Sequence, residues 1–468
     1  MKKFAVILLQ TFSFRKLMRF LNKNYTQECL KLALPVMLTQ VGQVSVNLFD
    51  NIIVGKLLGA QALAAVSLGN AVFFSVFVFA LGFSFAIPPL VSEAHSQNNH
   101  ERINSVFRHG FVINLAVGLL LMILLISATP LLYHMNQPKE IIPDTISFLT
   151  IMTVSIIPFM VFQTLREVSE GLSYTIGVTK ATIIANVINI ALNYVFIKGM
   201  FGFPPMGVKG SALASLLARI FMMIFLYFVL LNQEKTKRYI KDFSLKIAGF
   251  SKAMFDKMLK LGFPTALQMF FEVTAFAAAA FICGLISAKD IASHQIALSM
   301  ASFTFNLCIG FSVASTVMIG RKLGEKNFVE LQKVGINNLK IVFLFMLFCG
   351  LIFILGRNFL PTFFTKKEDV DVILLASKLM IIAALFQLSD GVQVVALGSL
   401  RGIQDVKIPS IITFIAYWVI TIPLGYILCV WEKMGAFGMW IALGLGLTLS
   451  AVMLVYRFIT LSSNRIKT

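Results

Sequence analysis

Acidic residues are scarce in this chain. Only 21 Asp and Glu stand against 40 Lys and Arg in 468 residues, and charged residues of both signs amount to 13 %. With 58 % hydrophobic residues, that scarcity excludes a soluble globule of this length and places the chain in a bilayer. Cysteine is also rare. Cys29, Cys283, Cys308, Cys349 and Cys429 lie scattered, without CxxC or metal-ligand spacing, and read as packing residues. The sequence has no HExxH, no GxGD-type acid and no clustered DDxxD, and its five histidines fall mostly in loops, so the usual membrane-embedded enzymes are disfavoured. No ten-residue alternating pattern appears, which argues against an outer-membrane barrel. The opening "MKKFAVILLQTFSF" imitates a signal peptide but lacks a small-residue cleavage site, and Arg15 and Lys16 follow at once. Residues 1–32 therefore read as a retained cytoplasmic tail or interfacial helix.

What the chain does have is apolar runs. Twelve are long enough to cross about 30 Å of hydrocarbon as helices: 33–55, 62–90, 109–133, 145–165, 176–198, 208–231, 260–286, 290–318, 337–357, 372–398, 408–430 and 435–457. The expected fold is an all-α integral membrane protein. With both ends on one side, about 29 of the 40 basic residues fall on that side, which marks it as cytoplasmic. The net charge of +19 thus reports topology. It does not point to nucleic acid, because the basic residues are spread over many short loops with no aromatic-interleaved patch.

An internal repeat organises these runs. At an offset of about 228 to 232 residues, "LALP" ending at Pro35 meets "LGFP" ending at Pro264, and "ALGFS" (80–84) meets "CIGFS" (308–312). "MGVKGSALAS" from Met206 likewise meets "MGAFGMWIAL" from Met434, and "LNY" ending at Tyr194 meets "LGY" ending at Tyr426. The chain then divides into an N-lobe (33–233), a basic cytoplasmic linker (234–258), a C-lobe (259–458) and a short cytoplasmic tail (459–468). Six spans per lobe give both lobes the same orientation, related by a pseudo-two-fold axis along the membrane normal. Two such bundles facing each other enclose a central cavity near the midplane.

Only three acids fall well inside apolar spans: Asp50, Glu272 and Asp390. Each costs at least about 2.5 to 3.5 kcal/mol to insert, so each calls for a role, either in transport or in an ion pair with Arg219 or Lys378, the basic residues placed inside spans. Polar residues three and four apart share a helix face. Gln40, Gln43, Asn47 and Asp50 form one such stripe, as do Thr182, Asn186, Asn189 and Asn193, and again Gln295, Ser299, Ser302 and Asn306. Thr265, Gln268 and Glu272 in the seventh span, and Gln387, Asp390 and Gln393 in the tenth, form two more. Single amides often only glue helices together, but five stripes point to a wet cavity. The repeat superposes Glu272 on Gln43 and Asp50 on an alanine near 279, so the lobes are not equivalent.

At these residues the sequence resembles the MATE (multidrug and toxic compound extrusion) transporters, in particular the NorM-like branch. The segments carrying the likeness are "PVMLTQVGQVSVNLFDNIIVGKLLG", "LGFPTALQMFFEVTAFA", "ASHQIAL", "IGRKLGE" and "QLSDGVQVVALGSLRGIQD". The resemblance implies two six-helix lobes around a V-shaped cavity, exporting cationic amphipathic compounds in exchange for Na⁺ or H⁺. It implies Asp50 as the N-lobe acid with Asn189 and Asn193 beside it, Glu272 and Asp390 as the C-lobe cation site, Gln295 as a cavity glutamine and Pro35 as a first-helix hinge. Gln43, Asn47, Gln268, Phe386 and Gln387 join the expected cavity. Phe386 stands where NorM-like members carry a tyrosine, and it offers no oxygen to a Na⁺ ion.

The expected mechanism is competition. A carboxylate withdrawn from water takes a proton or an alkali cation that a cationic substrate displaces, and that antagonism couples opposite fluxes. Oxygen ligands suit Na⁺ and no transition metal, so the coupling ion is the only cofactor expected. Phe270, Phe271, Phe386, Tyr417 and Trp418 are candidates to face a flat cation. The expected partners are small cationic molecules and membrane lipids, with the chain a monomer in a bacterial inner membrane and both termini cytoplasmic. The alternative is a flippase of the same superfamily for a lipid-linked substrate, which would carry extra spans and a more basic cavity.

Overall fold

The computed structural model describes residues 21–134, 138–246, 249–365 and 368–467. Among them are twelve helices long and apolar enough to cross a membrane: α1 (Lys23–Leu58), α2 (Ala60–Ser96), α3 (His100–His134), α4 (Ile142–Gly171), α5 (Ile176–Lys198), α6 (Gly207–Asn232), α7 (Lys252–Ile286), α8 (Ala288–Gly324), α9 (Phe328–Gly356), α10 (Val370–Gly402), α11 (Lys407–Trp431) and α12 (Gly435–Lys467). The twelve expected spans are all present, mostly extended at the water-facing ends. The first helix begins at Lys23, inside the expected tail, and α12 runs on to Lys467. The rest of that tail, residues 1–20 with Arg15 and Lys16, lies outside the described residues, as does Thr468.

Polar caps set several of these starts. Asn22 accepts from the backbone N–H groups of Asn24 and Tyr25, Asn99 from Arg102, Ser287 from Asp290 and Asn327 from Glu330. Each satisfies a donor that the first helical turn leaves open.

The repeat extends to backbone detail. Among the described residues six that are not glycine have left-handed φ, and they form three pairs: Asn98 with Lys326, Ser173 with Gln404, and Phe201 with Lys433. The members of each pair lie 228, 231 and 232 positions apart (326 − 98, 404 − 173, 433 − 201). This conformation is uncommon outside glycine, so its recurrence at the repeat offset marks the same turns built twice. Symmetry fails at α11. Its counterpart α5 is a regular α-helix, whereas α11 is interrupted by π-helical stretches at Ile415–Thr421 and Ile427–Trp431. Pro423, between them, supplies no N–H to the α-helical ladder. The hydroxyl of Thr421 instead reaches the carbonyl of Ala416, 2.8 Å away.

The lobes exchange their leading helices. Cys29, Leu32, Ala33 and Met37 of α1 are buried in the apolar core formed by α8, α9, α10 and α12, while Met258, Leu261 and Ala266 of α7 belong to the core of α2 to α6. Farther along, the helices return to their own lobes, with Ile53 and Val54 in the first core and Ala275, Ala279 and Ile282 in the C-lobe core. The lobes are thus joined at the end where α1 starts and α12 finishes, here termed the terminal end. Glycines permit the closest approaches: a Cβ on Gly82 of α2 would overlap the Ala266 backbone of α7, and one on Gly310 of α8 would meet the Ala33 carbonyl of α1. Interlobe polar contacts sit at the same end, including Glu93 with Gln404 (2.6 Å), Arg321 with Glu28 (2.8 Å), Gln97 with the Gly324 carbonyl (3.4 Å) and Tyr25 with Glu330.

The basic linker is structured over much of its length. A short helix, Glu234–Lys241, buries Tyr239 against His100, with the phenolic oxygen 2.8 Å from Nδ1. Burial pushes the Tyr239 phenol above its ordinary range. Phe243 packs its ring at a tilt against Phe107, and His109 meets the Ser251 backbone. The connection between lobes is therefore pinned to α3.

Candidate functional site

Two carboxylate centres lie inside the bundle, one per lobe. In the N-lobe, α1 carries Asp50 against α5 and α6. Asn193 donates to Asp50 Oδ1 at 2.8 Å and the Ser215 hydroxyl lies 3.4 Å from Oδ2. Asn189 donates to the Ser215 hydroxyl at 3.2 Å, so Asn189 and Asn193, one turn apart, hold the acid through one direct and one relayed contact. Arg219 is close enough to act on Asp50 electrostatically but forms no ion pair with it among the described residues. Its guanidinium instead meets the Ser155 hydroxyl at 2.7 Å and lies over the rings of Phe73 and Phe159. Lys378 is exposed near the start of α10. The ion-pair explanation of the intramembrane acids therefore finds no bonded partner.

In the C-lobe, Glu272 of α7 and Asp390 of α10 are both buried, and each lies within electrostatic reach of the other. Gln268, one turn before Glu272, donates to it at 3.4 Å, and Gln393 approaches its other oxygen at 3.5 Å. Gln393 also donates to the Tyr417 hydroxyl at 3.1 Å. The carbonyl oxygen of Gln393 is buried without a hydrogen-bond partner. Gln387 is held through its carbonyl by Thr304 at 3.1 Å, leaving its amide nitrogen unpartnered. Phe386 is buried edge-on against Trp440 and Phe276.

Tyr417 is the residue that sequence reasoning misplaced. The sequence offers it as a ring to face a flat cation, yet it is fully buried with its hydroxyl in the carboxylate cluster. The π-helical stretch of α11 carries it there. Phe386 removes an oxygen from α10, and Tyr417 brings one from α11. The signal available in the sequence was Pro423, six residues on, which implies a break in the ladder.

The remaining candidates separate into two groups. Gln268, Asn189, Asn193 and Gln387 are buried beside the acids, whereas Asn47 and Gln295 are exposed and Gln43 is half-buried. Along the α8 stripe, Ser299 and Asn306 turn their polar atoms to their own helix, bonding the carbonyls of Gln295 and Ser302. Pro35 lies inside α1, where its carbonyl accepts from the hydroxyls of Thr39 (3.0 Å) and Thr179 (2.7 Å), tying the first helix to the fifth. Two surface concavities, of about 740 and 500 Å³, lie away from both carboxylate centres.

A further set of charges was not expected in the membrane. Arg166, Glu167 and Glu170 on α4 and Arg401 on α10 are all buried, the two acids completely. Arg166 pairs with Glu170 at 2.7 Å, and Gln163 lies between Arg166 and Glu167 at 3.4 and 3.5 Å. Glu170 lies in the last turn of α4, and packing against α2, α3 and α6 buries it there. The spacing of four in Gln163/Glu167 and Arg166/Glu170 was the legible sign of paired charges.

This architecture, two like-oriented lobes of six helices with a buried acid centre in each, defines a membrane transporter. Comparison with known proteins supplies the family: the MatE family model matches residues 35–195 and again 264–427, one copy in each half, and the chain belongs to that family. The chain is 34 % identical over 442 residues to Multidrug resistance protein NorM of Photobacterium profundum, covering 93 % of this chain and 95 % of that one. It is 31 % identical over 438 residues to Multidrug resistance protein MdtK of Cronobacter sakazakii, covering 92 % and 94 %. Among solved structures, an outward-facing conformation of a multidrug resistance MATE family transporter superposes with a TM-score of 0.86 at 20 % identity, over 95 % of this chain and 97 % of that one.

Proposed function

We propose that this chain is a cation-coupled antiporter that exports cationic amphipathic compounds from a bacterial cell by alternating access, with the terminal end cytoplasmic. The observation carrying this reading is the Glu272–Asp390 pair: two buried acids with no basic group bonded to either among the described residues. Such a pair is costly in a bilayer unless a cation neutralises it. The neighbouring groups suit that cation, since the unpartnered Gln393 carbonyl and the Tyr417 hydroxyl add neutral oxygens to the carboxylates. Na⁺ and H⁺ are both compatible with this donor set. Asp50, held by Asn193 and Ser215, is the second charge for which substrate and coupling ion compete.

Exposed polar side chains within membrane-spanning helices, Asn47 on α1 and Gln295 on α8, support a water-filled cleft between the lobes at the end opposite their contacts. With the lobes joined at the terminal end, that cleft opens outward. One chain supplies both lobes, so the working unit is a monomer. The deciding measurement is ethidium efflux from everted vesicles under an imposed Na⁺ gradient or an imposed pH gradient. Efflux driven by one of them is expected, and efflux driven by neither would overturn the reading. Tyr417→Phe is expected to raise the cation concentration for half-maximal efflux about fivefold, the equivalent of one hydrogen bond of about 1 kcal/mol.

A further inference from the structure

Arg401 is a buried cation bonded to no acid. Among the described residues it forms no ion pair, its Nε has no hydrogen-bond partner, and its guanidinium rests over the Phe85 ring, 5.0 Å from the centroid. Two acids from different lobes nevertheless act on it: Glu167 of α4 and Glu272 of α7. Glu167 has an unpartnered buried oxygen of its own, as does Glu170 beside it, while Arg166 is committed to Glu170. On α10, Asp390, Val394, Leu397 and Arg401 step by four, three and four and so share one helix face, with Asp390 about 16 Å along the axis from Arg401.

We propose that Arg401 is a positioning residue of the exchange cycle, a counter-charge shared between the C-lobe cation site and the N-lobe acids, which transmits occupancy of that site to the contact between lobes. The inference rests on the cation-site reading of Glu272 and Asp390. With that site empty, Glu272 draws Arg401 toward the C-lobe. A cation bound there neutralises Glu272 and Asp390 and leaves Glu167 as the principal acid facing Arg401. The attraction then runs across the interface and holds the terminal ends of the lobes together. When the lobes part, the same acids and guanidinium regain water, so the contact is strong only in the closed arrangement.

The test uses the full chain in lipid nanodiscs, with the five buried cysteines replaced and spin labels at Asn98→Cys and Lys326→Cys. These exposed turn positions are repeat equivalents at the terminal end of each lobe. The distance between labels is measured with and without the cation that drives efflux, and displacement of bound ethidium by that cation is measured on the same samples. In the otherwise unmodified chain the cation is expected to enlarge the short-distance population. Arg401→Gln is expected to shrink that response at least about fivefold while displacement of ethidium persists, and Arg401→Lys is expected to restore it in part. Glu167→Gln, which leaves the cation site intact, is expected to reproduce the Arg401→Gln result, so the test stands even if that variant folds poorly. An undiminished response in both Arg401→Gln and Glu167→Gln would overturn the proposal. Loss of ethidium displacement in the unmodified chain would instead remove the cation-site reading beneath it.

Discussion

Glu272→Gln and Asp390→Asn are expected to abolish drug resistance in a pump-deficient host, with ethidium efflux falling at least about a hundredfold, while the protein still inserts and accumulates. Each replacement keeps the shape of the side chain and removes only its charge. In Glu272→Gln the contacts with Gln268 and Gln393 can be largely rebuilt between amides, so the side-chain link from α7 to α10 survives. Membrane insertion does not suffer, because removing a carboxylate from mid-span relieves a cost of about 2.5 to 3.5 kcal/mol. What disappears is the charge for which cation and substrate compete, and with it the coupling of their fluxes. Resistance at ordinary levels in both variants, with protein measured by immunoblot, would remove the C-lobe acids from the mechanism.

Gly82→Val is expected to stop transport by a different route. The Gly82 position faces the Ala266 backbone with no space for a Cβ, and a helix backbone cannot yield as a flexible side chain does. Overpacking of this kind costs about 1 to 3 kcal/mol, and here it falls only on the arrangement in which the lobes meet. About 2 kcal/mol shifts the equilibrium about thirtyfold toward parted terminal ends. The spin-label distance between Asn98→Cys and Lys326→Cys is the readout: a long-distance majority without added cation is expected, with efflux lost. An unchanged distance distribution would show that this contact does not set the equilibrium.

The sequence was informative wherever the bilayer is the main solvent. Apolar length marked the twelve helices, and the price of burying a carboxylate singled out Asp50, Glu272 and Asp390. The paired left-handed turns fall at the same offset as the repeat motifs, although none of those motifs contains them. Contacts between distant segments were less legible. Arg166, Glu167, Glu170 and Arg401 lie near helix ends, where charges ordinarily meet water, and the packing of neighbouring helices buries them. Nothing within a window of one helix reports that. Tyr417 escaped for a geometric reason: a π-helical turn rotates the residues after it away from the face that regular α spacing assigns. The exchange of leading helices was hidden too, because Cys29 to Met37 are equally apolar whichever lobe they enter.

The mismatch between Glu170 and Arg401 bears on how such a chain can arise. These residues occupy equivalent positions of the two repeats, and Arg401 faces Glu167, one turn from Glu170. In an assembly of two identical halves, equivalent positions would carry the same residue. Any pairing between an arginine of one half and a glutamate of the other would then occur twice, once on each side of the axis. Joining the halves in one polypeptide lets each copy mutate independently, so an acid on one side can be matched by a guanidinium on the other. A single guanidinium set against the acids of the other lobe is an unequal pairing that a fused duplicate can hold, whereas a symmetric dimer of identical halves would have to build it twice.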